Sequence, residues 1–245
     1  MKKLVLLTLG LVLIVGMLAS CSGTPAKIQV ATDATWPPFE YVNDAHEIVG
    51  FDIDLMNAIA DEANLDIEFV NVGWDPLLAG MAAGTYDAAI SSITIREDRK
   101  KDMLFSNPYY GAGQIVVVQK SNTTITGKNN LTGEVGAQLG TTGAMEVEKI
   151  TGATLVNYDD IGLAFQALMN GQVVAVICDN PVAMQYVVTN PDDLKIVGTV
   201  FTDEFYGIAV AKGQEDLLDK INAGLEKVLQ EGIIQTLEEK WYQAE

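Results

Sequence analysis

The 245-residue sequence is poor in histidine, cysteine and basic residues, and each shortage argues against a class of function. It contains one histidine and two cysteines, and 15 basic residues stand against 33 acidic ones. The formal net charge of −18 leaves no basic face to neutralise phosphates, so the sequence argues against nucleic-acid binding. The hydrophobic fraction of 49% is nevertheless typical of a globular chain with one large or two smaller cores.

Long apolar runs are also scarce, and the one near the N-terminus has the pattern of an export signal. Two lysines precede the apolar stretch 4–15, which is shorter than the roughly 20 residues of a spanning helix. The Leu-Ala-Ser-Cys sequence ending at Cys21 resembles the lipobox of bacterial-type lipoproteins. That resemblance implies a signal peptide over 1–20, lipidation of Cys21 and a tether over 21–26. A one-pass membrane anchor is the alternative.

Lipidation at Cys21 leaves Cys178 without an intrachain partner, so we expect a core held by packing and not by a disulfide. We expect the chain after Cys21 to fold as an exported, soluble monomer that contacts the membrane through its lipid only. Its location is then the outer face of the cytoplasmic membrane or the periplasm.

After residue 27, short apolar runs alternate with helical periodicity, which predicts an α/β fold with mainly parallel sheets. The predicted strands are 27–32, 66–70, 87–91, 115–119, 134–137, 154–156, 173–178 and 207–211. The predicted helices are 52–62, 75–83, 142–149, 160–169, 181–188, 215–230 and 233–241. Asp75 is the predicted N-cap of its helix, and Gly84 lies just past the end. Two consecutive α/β sets predict two lobes.

Ligands of open α/β sheets bind beyond the carboxyl ends of the strands, and five unusual stretches fall there. They are Asp33–Glu40, Gly73–Asp75, Ser91–Arg99, Gly140–Gly143 and Asp179. Each stretch also has an ordinary structural interpretation: a stiff turn, a lid on the core, a solvated charge run, a threonine cap and a helix N-cap.

Together these stretches carry the groups that a free amino acid requires. Arg99 and the backbone amide of Thr142 suit a carboxylate, and Asp179 suits an ammonium. Trp36 and Trp74 can hold an aliphatic or cationic side chain between them. The Gly140–Gly143 stretch lacks the lysine of a phosphate-binding loop, so a nucleotide is not expected.

The sequence resembles the polar amino-acid-binding proteins of ABC importers, solute-binding protein family 3, which have the type II periplasmic-binding-protein fold. The matching stretches follow the family order and span almost everything after residue 27: Ala31–Phe39, Val49–Leu55, Ile93–Arg99, Phe105–Tyr109, Gln138–Gly143 and Tyr206–Ala209. The resemblance implies two lobes, each a mainly parallel sheet flanked by helices, joined by two hinge strands near 109–113 and 203–207.

By the same resemblance, lobe 1 comprises 27–110 plus 206–245, and lobe 2 comprises 111–205. The implied partners are a free L-amino acid (arginine, lysine or glutamine) and an ABC importer permease. The resemblance implies no catalytic residue, no metal and no cofactor.

The resemblance also implies the roles of the site residues. Arg99 holds the α-carboxylate with the amide of Thr142, while Asp179, the Ser92 carbonyl and Thr94 hold the α-ammonium. The full ligand-binding set is Asp33, Trp36, Glu40, Trp74, Ser91, Ser92, Thr94, Arg99, Gln138, Thr141, Thr142 and Asp179.

The ligand side chain is predicted to meet Asp33 and Glu40 at the mouth of the first lobe, with Gln138 facing them across the cleft. Glutamine binders of the family commonly carry lysine where Gln138 stands and histidine where Cys178 stands. Because this sequence has neither that lysine nor that histidine, the pocket lacks these cationic groups and keeps hydrogen-bond acceptors. A cationic side chain requires such acceptors in a desolvated pocket. We therefore favour arginine, then lysine, over glutamine or histidine.

Two other function classes share this fold: a dehydratase acting on prephenate-like acids, and a sensor module. A dehydratase requires a poised acid or base. The one histidine, His46, falls in a polar turn away from the strand ends. The combination of Arg99 with Asp179 favours holding a zwitterion over catalysis.

Overall fold

The computed structural model describes residues 27–242, in which the alternating pattern forms two five-stranded sheets flanked by helices. The predicted signal peptide, Cys21 and the tether lie outside the described residues. None of the helices in the described range is long and apolar enough to cross a membrane. The predicted two-lobed α/β fold class is confirmed.

Strands and helices alternate along most of the described chain. The strands are β1 (Ile28–Thr32), β2 (Thr35–Trp36), β3 (Glu40–Val42), β4 (Ile48–Val49), β5 (Ile67–Asn71), β6 (Ala88–Ala89), β7 (Met103–Phe105), β8 (Tyr110–Ala112), β9 (Gln114–Gln119), β10 (Gly133–Gln138), β11 (Ala153–Tyr158), β12 (Ala175–Asp179), β13 (Leu194–Val197), β14 (Glu204–Tyr206) and β15 (Ala209–Ala211). The helices are α1 (Phe51–Ala63), α2 (Trp74–Ala83), α3 (Thr142–Glu148), α4 (Ile161–Met169), α5 (Asn180–Thr189), α6 (Glu215–Gln230) and α7 (Ile233–Tyr242).

The first sheet has the strand order β5-β1-β6-β15-β7, with β1 parallel to β5 and β6 and with β15 antiparallel to β6 and β7. Helix α1 buries the apolar face that its periodicity predicts, including Ile53, Met56 and Ile59. Helix α2 covers the other face of the sheet through Leu77 and Met81. Both faces of this sheet are therefore shielded from water.

The second sheet has the order β11-β10-β12-β9-β13, with β10 parallel to β11 and β12 and with β9 antiparallel to β12 and β13. Successive residues of β9 point to opposite faces and are buried on both. Val116 packs with Val147 of α3, whereas Val117 belongs to the core that contains Phe165 of α4.

Two short strands connect the sheets. β8 pairs antiparallel with β14, so that Tyr110 lies opposite Tyr206 and Ala112 lies opposite Glu204. These strands lie at the positions of the predicted hinge segments. The rings of Tyr110 and Tyr206 stack 5.9 Å apart, and Tyr242 of α7 stacks on Tyr110 at 5.6 Å. The C-terminal helix therefore packs directly against the strands that join the lobes.

Several local predictions require correction. Helix α2 begins at Trp74 with Gly73 as its N-cap, so the prediction that Asp75 caps this helix is wrong. Asp75 lies in the first turn of the helix, where its negative charge interacts favourably with the helix dipole. The predicted strand 87–91 shortens to β6 because the chain turns at Ser92, whose φ is 48°. The small β2–β4 sheet was not predicted, because its strands are two or three residues long.

Candidate functional site

The carboxyl ends of the central strands of both sheets open onto one shared cavity. The structure brings all twelve predicted ligand-binding residues to this cavity: Asp33, Trp36, Glu40, Trp74, Ser91, Ser92, Thr94, Arg99, Gln138, Thr141, Thr142 and Asp179. All twelve are buried.

Arg99 begins a short 3-10 turn and is only 7% exposed, whereas Lys100 and Lys101 of the same turn point to water. The interpretation of Arg99 as part of a solvated charge run is therefore wrong. Its Nη1 donates to the carbonyl oxygen of Thr94 at 2.9 Å, and its guanidinium lies 5.2 Å from the ring centroid of Trp74. Burial lowers the pKa of Arg99 to about 10, so the side chain remains a cation at neutral pH.

Arg99 also reaches the second lobe, where Nη2 donates to the carbonyl oxygen of Gly140 at 3.3 Å. Gly140 has a φ of 71°, a left-handed conformation that favours glycine, and it starts the turn into α3. The hydroxyl of Thr141 caps α3 by accepting from the Ala144 amide. Thr142 accepts a hydrogen bond from Gln114 Nε2 at 2.9 Å, which orients its side chain.

Asp179 ends β12 and occupies the N-cap position of α5, but its side chain makes no capping hydrogen bond. The interpretation of Asp179 as a side chain that caps the helix is therefore wrong. Asp179 is 4% exposed, and its Oδ1 has no hydrogen-bond partner among the described residues. Burial, with a smaller contribution from the charge of Glu204, raises the pKa of Asp179 to about 7. A buried acid with an unpartnered oxygen is poised to accept a cation.

Asp33, Glu40 and Gln138 form the other end of the cavity. Gln138 Nε2 donates to Asp33 Oδ2 at 2.9 Å and to the Asp159 carbonyl at 3.1 Å. The hydroxyl of Ser91 donates to Glu40 Oε1 at 3.1 Å. Asp33 and Glu40 line the cavity together with Gln138 and are 4% and 0% exposed. Burial raises the pKa of both carboxyls.

The two tryptophans of the cavity, Trp36 and Trp74, are buried, and the indole nitrogen of each has no protein partner among the described residues. Trp74 packs against Arg99 and against Leu77 in the core below. The interpretation of Trp74 as a lid on the core and its interpretation as a wall of the cavity therefore hold together.

Sequence reasoning missed Glu204 and Asp52. Glu204, in β14, accepts hydrogen bonds from Thr94 Oγ1 at 3.0 Å and from Thr202 Oγ1 at 2.7 Å, which links a joining strand to the cavity. Asp52, in α1, accepts from the Ser92 amide at 2.8 Å. No local pattern marks either residue as belonging to the site, because the cavity residues that they contact, Thr94 and Ser92, are 110 and 40 positions away in sequence.

The remaining candidates lie elsewhere. His46 is exposed in the turn between β3 and β4. Cys178 is a buried free thiol in β12, and burial raises its pKa well above the usual range. In the described part of the chain, no cluster of three or more histidine, cysteine or acidic side chains is arranged to hold a metal ion.

Residues 28–244 match the model of the family described as bacterial extracellular solute-binding proteins, family 3. The ABC transporter arginine-binding protein 1 of Escherichia coli K12 is 33% identical over 248 residues, covering 99% of this chain and 99% of the relative. An ancestral arginine-binding protein bound to arginine has a TM-score of 0.85 at 41% identity, covering 90% of this chain and all of that chain. The structure of an ancestral arginine-binding protein bound to glutamine gives 0.85 at 42% identity, covering 90% of this chain and 99% of that chain.

One further similar structure bears on the enzyme alternative. It is an ancestral amino-acid-binding protein described as a precursor of cyclohexadienyl dehydratase, with a TM-score of 0.82 at 33% identity, covering 89% of this chain and 96% of that chain. The fold thus accommodates both binding proteins and a lineage that leads to an enzyme.

Proposed function

The chain belongs to family 3 of the bacterial extracellular solute-binding proteins, and on that premise we propose that it captures a free polar amino acid, with arginine favoured, for an ABC importer. The observation that carries the proposal is the presence of a buried cation, Arg99, and a buried carboxyl with an unpartnered oxygen, Asp179, on the walls of one cavity. A zwitterion presents the two complementary charges on one carbon atom.

Arg99 is the proposed anchor of the α-carboxylate. A guanidinium has five N–H donors, and two of its hydrogen bonds are to the Thr94 and Gly140 carbonyls. These bonds hold the plane of the group, and its remaining donors are the proposed partners of the ligand carboxylate. The backbone amide of Thr142, at the first turn of α3, is the proposed second donor to the same carboxylate.

Asp179 is the proposed partner of the α-ammonium, with the Ser92 carbonyl and Thr94 hydroxyl completing the hydrogen bonds. An ammonium beside Asp179 stabilises the ionised carboxylate and offsets the burial that raises its pKa. The Thr94 hydroxyl already donates to Glu204, so its lone pairs are free to accept from an ammonium.

The other end of the cavity favours a cationic side chain. Asp33 and Glu40 supply carboxyl oxygens, and neither is paired with a lysine or arginine in the described part of the chain. The similar arginine-binding proteins support this preference. Lysine is therefore the second candidate ligand after arginine, and glutamine, which one similar structure holds, and histidine follow.

We propose that binding closes two lobes, 27–110 plus 206–245 and 111–205, around the ligand. Hydrogen bonds already cross the cleft, among them those from Gln138 to Asp33 and from Arg99 to Gly140. A ligand that contacts both lobes favours the closed form by the difference between its affinities for the closed and open forms. No covalent step and no catalysis are part of this proposal.

We also propose export with cleavage before Cys21, a lipid on that cysteine and a monomeric body on the outer face of the membrane. This part of the proposal rests on the lipobox-like sequence alone. Expression of the full chain in a bacterial host tests it: Cys21→Ala is expected to move the protein from the membrane fraction to the soluble fraction. Membrane retention of the variant contradicts lipidation at this residue.

A thermal-shift screen of the chain from residue 27 against the common amino acids tests the binding function. A ligand at a hundredfold excess over its dissociation constant adds about 2.7 kcal/mol of stability. We expect arginine to give the largest shift. The absence of a shift with every amino acid overturns the proposed function, and conversion of a prephenate-like acid, followed by absorbance, supports the enzyme alternative.

A further inference from the structure

Glu40 and Asp52 bring two carboxyl groups together behind the side-chain end of the cavity. Both residues are 0% exposed, and Glu40 lines the cavity while Asp52 lies behind it in α1. Glu40 accepts a hydrogen bond from the hydroxyl of Ser91 and Asp52 accepts one from the amide of the adjacent Ser92, which brings the two buried carboxyl groups close together. Two ionised carboxylates in contact repel strongly when both are removed from water, so such a pair is stable only if it shares a proton.

The hydrogen bonds of the pair show which member carries the proton. Asp52 Oδ2 accepts from the Ser92 amide at 2.8 Å and from the Tyr109 hydroxyl at 2.7 Å, two donors that favour an ionised carboxylate. Glu40 accepts only from the Ser91 hydroxyl, at 3.1 Å. Glu40 Oε2 and Asp52 Oδ1 have no other partner in the described part of the chain, and one proton between the carboxyls satisfies both groups.

Among residues 27–242, no positively charged group faces the pair to replace that proton. The groups that face the pair are Asp33 beyond β1, Ser91 beyond β6, Tyr109 before β8 and Tyr242 in α7. All are neutral or acidic at neutral pH. Burial is the main cause that raises the pKa of Glu40 well above its usual range and that of Asp52 to about 6.

We infer that Glu40 and Asp52 share one proton at the side-chain end of the cavity, and that a cationic ligand side chain displaces this proton to solvent whereas a neutral side chain leaves it in place. Charge balances in this exchange, because one guanidinium or ammonium enters as one H⁺ leaves. The inference rests on the proposed function and makes Asp52 a positioning residue that sets the charge of Glu40.

The pair thereby offers two states of one pocket. With the proton present, Glu40 is a neutral acid that can exchange hydrogen bonds with an amide side chain. With the proton displaced, Glu40 is a carboxylate that pairs with a guanidinium. The pair then makes the affinity for arginine rise with pH by at most about tenfold per pH unit, in addition to the dependence that Asp179 gives to every amino acid, while the affinity for glutamine has the Asp179 contribution alone.

Calorimetric titration in two buffers of different ionisation enthalpy measures the protons released on binding. Asp179 also releases a proton when an α-ammonium binds, but this release is common to all amino acids and cancels between ligands. We expect arginine to release up to about one proton more than glutamine near neutral pH. Equal proton release by the two ligands overturns the inference and leaves the proposed function standing.

Glu40→Gln keeps the shape of the side chain but introduces a group that cannot ionise. The variant is therefore expected to lose the excess proton release and to bind arginine about tenfold or more weakly. Asp52→Asn is expected to reduce the excess by removing the neighbouring charge. The matched control is Asp61→Asn, an exposed carboxyl of the same helix, which should keep the wild-type excess.

If glutamine does not bind, proton release on arginine binding is compared between the wild type and Glu40→Gln. Equal proton release by the two proteins overturns the inference. Binding of no amino acid overturns the proposed function and this inference together.

Discussion

The side-chain amide of Gln138 donates a hydrogen bond of 2.9 Å to the carboxylate of Asp33, and this bond joins the two sheets across the cleft. The two residues are 105 positions apart in sequence. Asp33 follows β1 of the first sheet, whereas Gln138 ends β10 of the second. With the proposed role of Asp33 in binding the ligand side chain, closure of the cleft and selection of the ligand depend on the same pair of groups.

Replacement of Arg99 by alanine should cost about 2–5 kcal/mol of amino-acid affinity, because the ligand carboxylate is then buried without a partner. Titration calorimetry with arginine measures the loss. Lys100→Ala, an exposed neighbour paired with Glu97, serves as the control and should bind as the wild type does. Near-native affinity of the Arg99 variant contradicts the assigned role.

Asp179 should make the unliganded protein less stable as pH rises. Its pKa is raised from its usual 3.8 to about 7, so the folded state binds a proton that the unfolded state has already released. The free energy of unfolding then falls between about pH 4 and pH 7, by at most ~1.4 kcal/mol per pH unit. Denaturant unfolding at pH 5 and pH 7.5 measures the slope.

Asp179→Asn should remove this part of the slope, while its affinity for any amino acid falls by about 2–5 kcal/mol. The variant is thus expected to be more stable than the wild type at pH 7.5 without ligand and to bind more weakly. A wild-type pH dependence of stability in the variant shows that Asp179 is not the titrating group.

Asp33→Ala should alter which amino acid binds best. Loss of an acceptor for a charged side chain costs about 1.5–3 kcal/mol, so the preference for arginine over glutamine should fall by roughly tenfold to a hundredfold. Competition between the two ligands for the purified protein gives this ratio directly. An unchanged ratio removes Asp33 from the side-chain pocket.

Glu204→Gln should shift the pH dependence of binding. The charge of Glu204 raises the pKa of Asp179, so a neutral residue at 204 lowers that pKa and lets the ammonium partner ionise at lower pH. Affinity measured from pH 5 to pH 8 should then keep its plateau to a lower pH than in the wild type. Asp203→Asn, an exposed acid next in sequence, is the control and should show the wild-type profile.

Gly50→Ala should destabilise the fold by about 3 kcal/mol or more, because the new Cβ would lie 2.0 Å from the carbonyl oxygen of Phe39. Gly84→Ala is the matched control: its φ of 69° is also left-handed, but nothing lies within 4 Å. It should cost only about 1 kcal/mol for the backbone conformation. Chemical denaturation measures the free energy of unfolding of both variants. Equal destabilisation of the two contradicts the steric argument.

The fold could be predicted to a large extent because its signals are local. The periodicity over 52–62 and 215–230 gives α1 and α6 almost to the residue. The short strands β2, β3 and β4 could not be predicted in this way, since two or three residues carry no periodic pattern. Their pairing is fixed by contacts with the rest of the lobe.

The sequence by itself determined the α/β class and the residue types that gather at the strand ends, because hydrophobic periodicity and strand-end chemistry are encoded within short windows. Only the tertiary structure decided that Arg99 is buried while Lys100 is not, and that Asp179 makes no cap bond. It alone brought Asp52 to the amide of Ser92 and Glu204 to the hydroxyl of Thr94. The physical reason is that burial and pairing depend on groups dozens of residues away, and the charge state of a carboxyl depends on both.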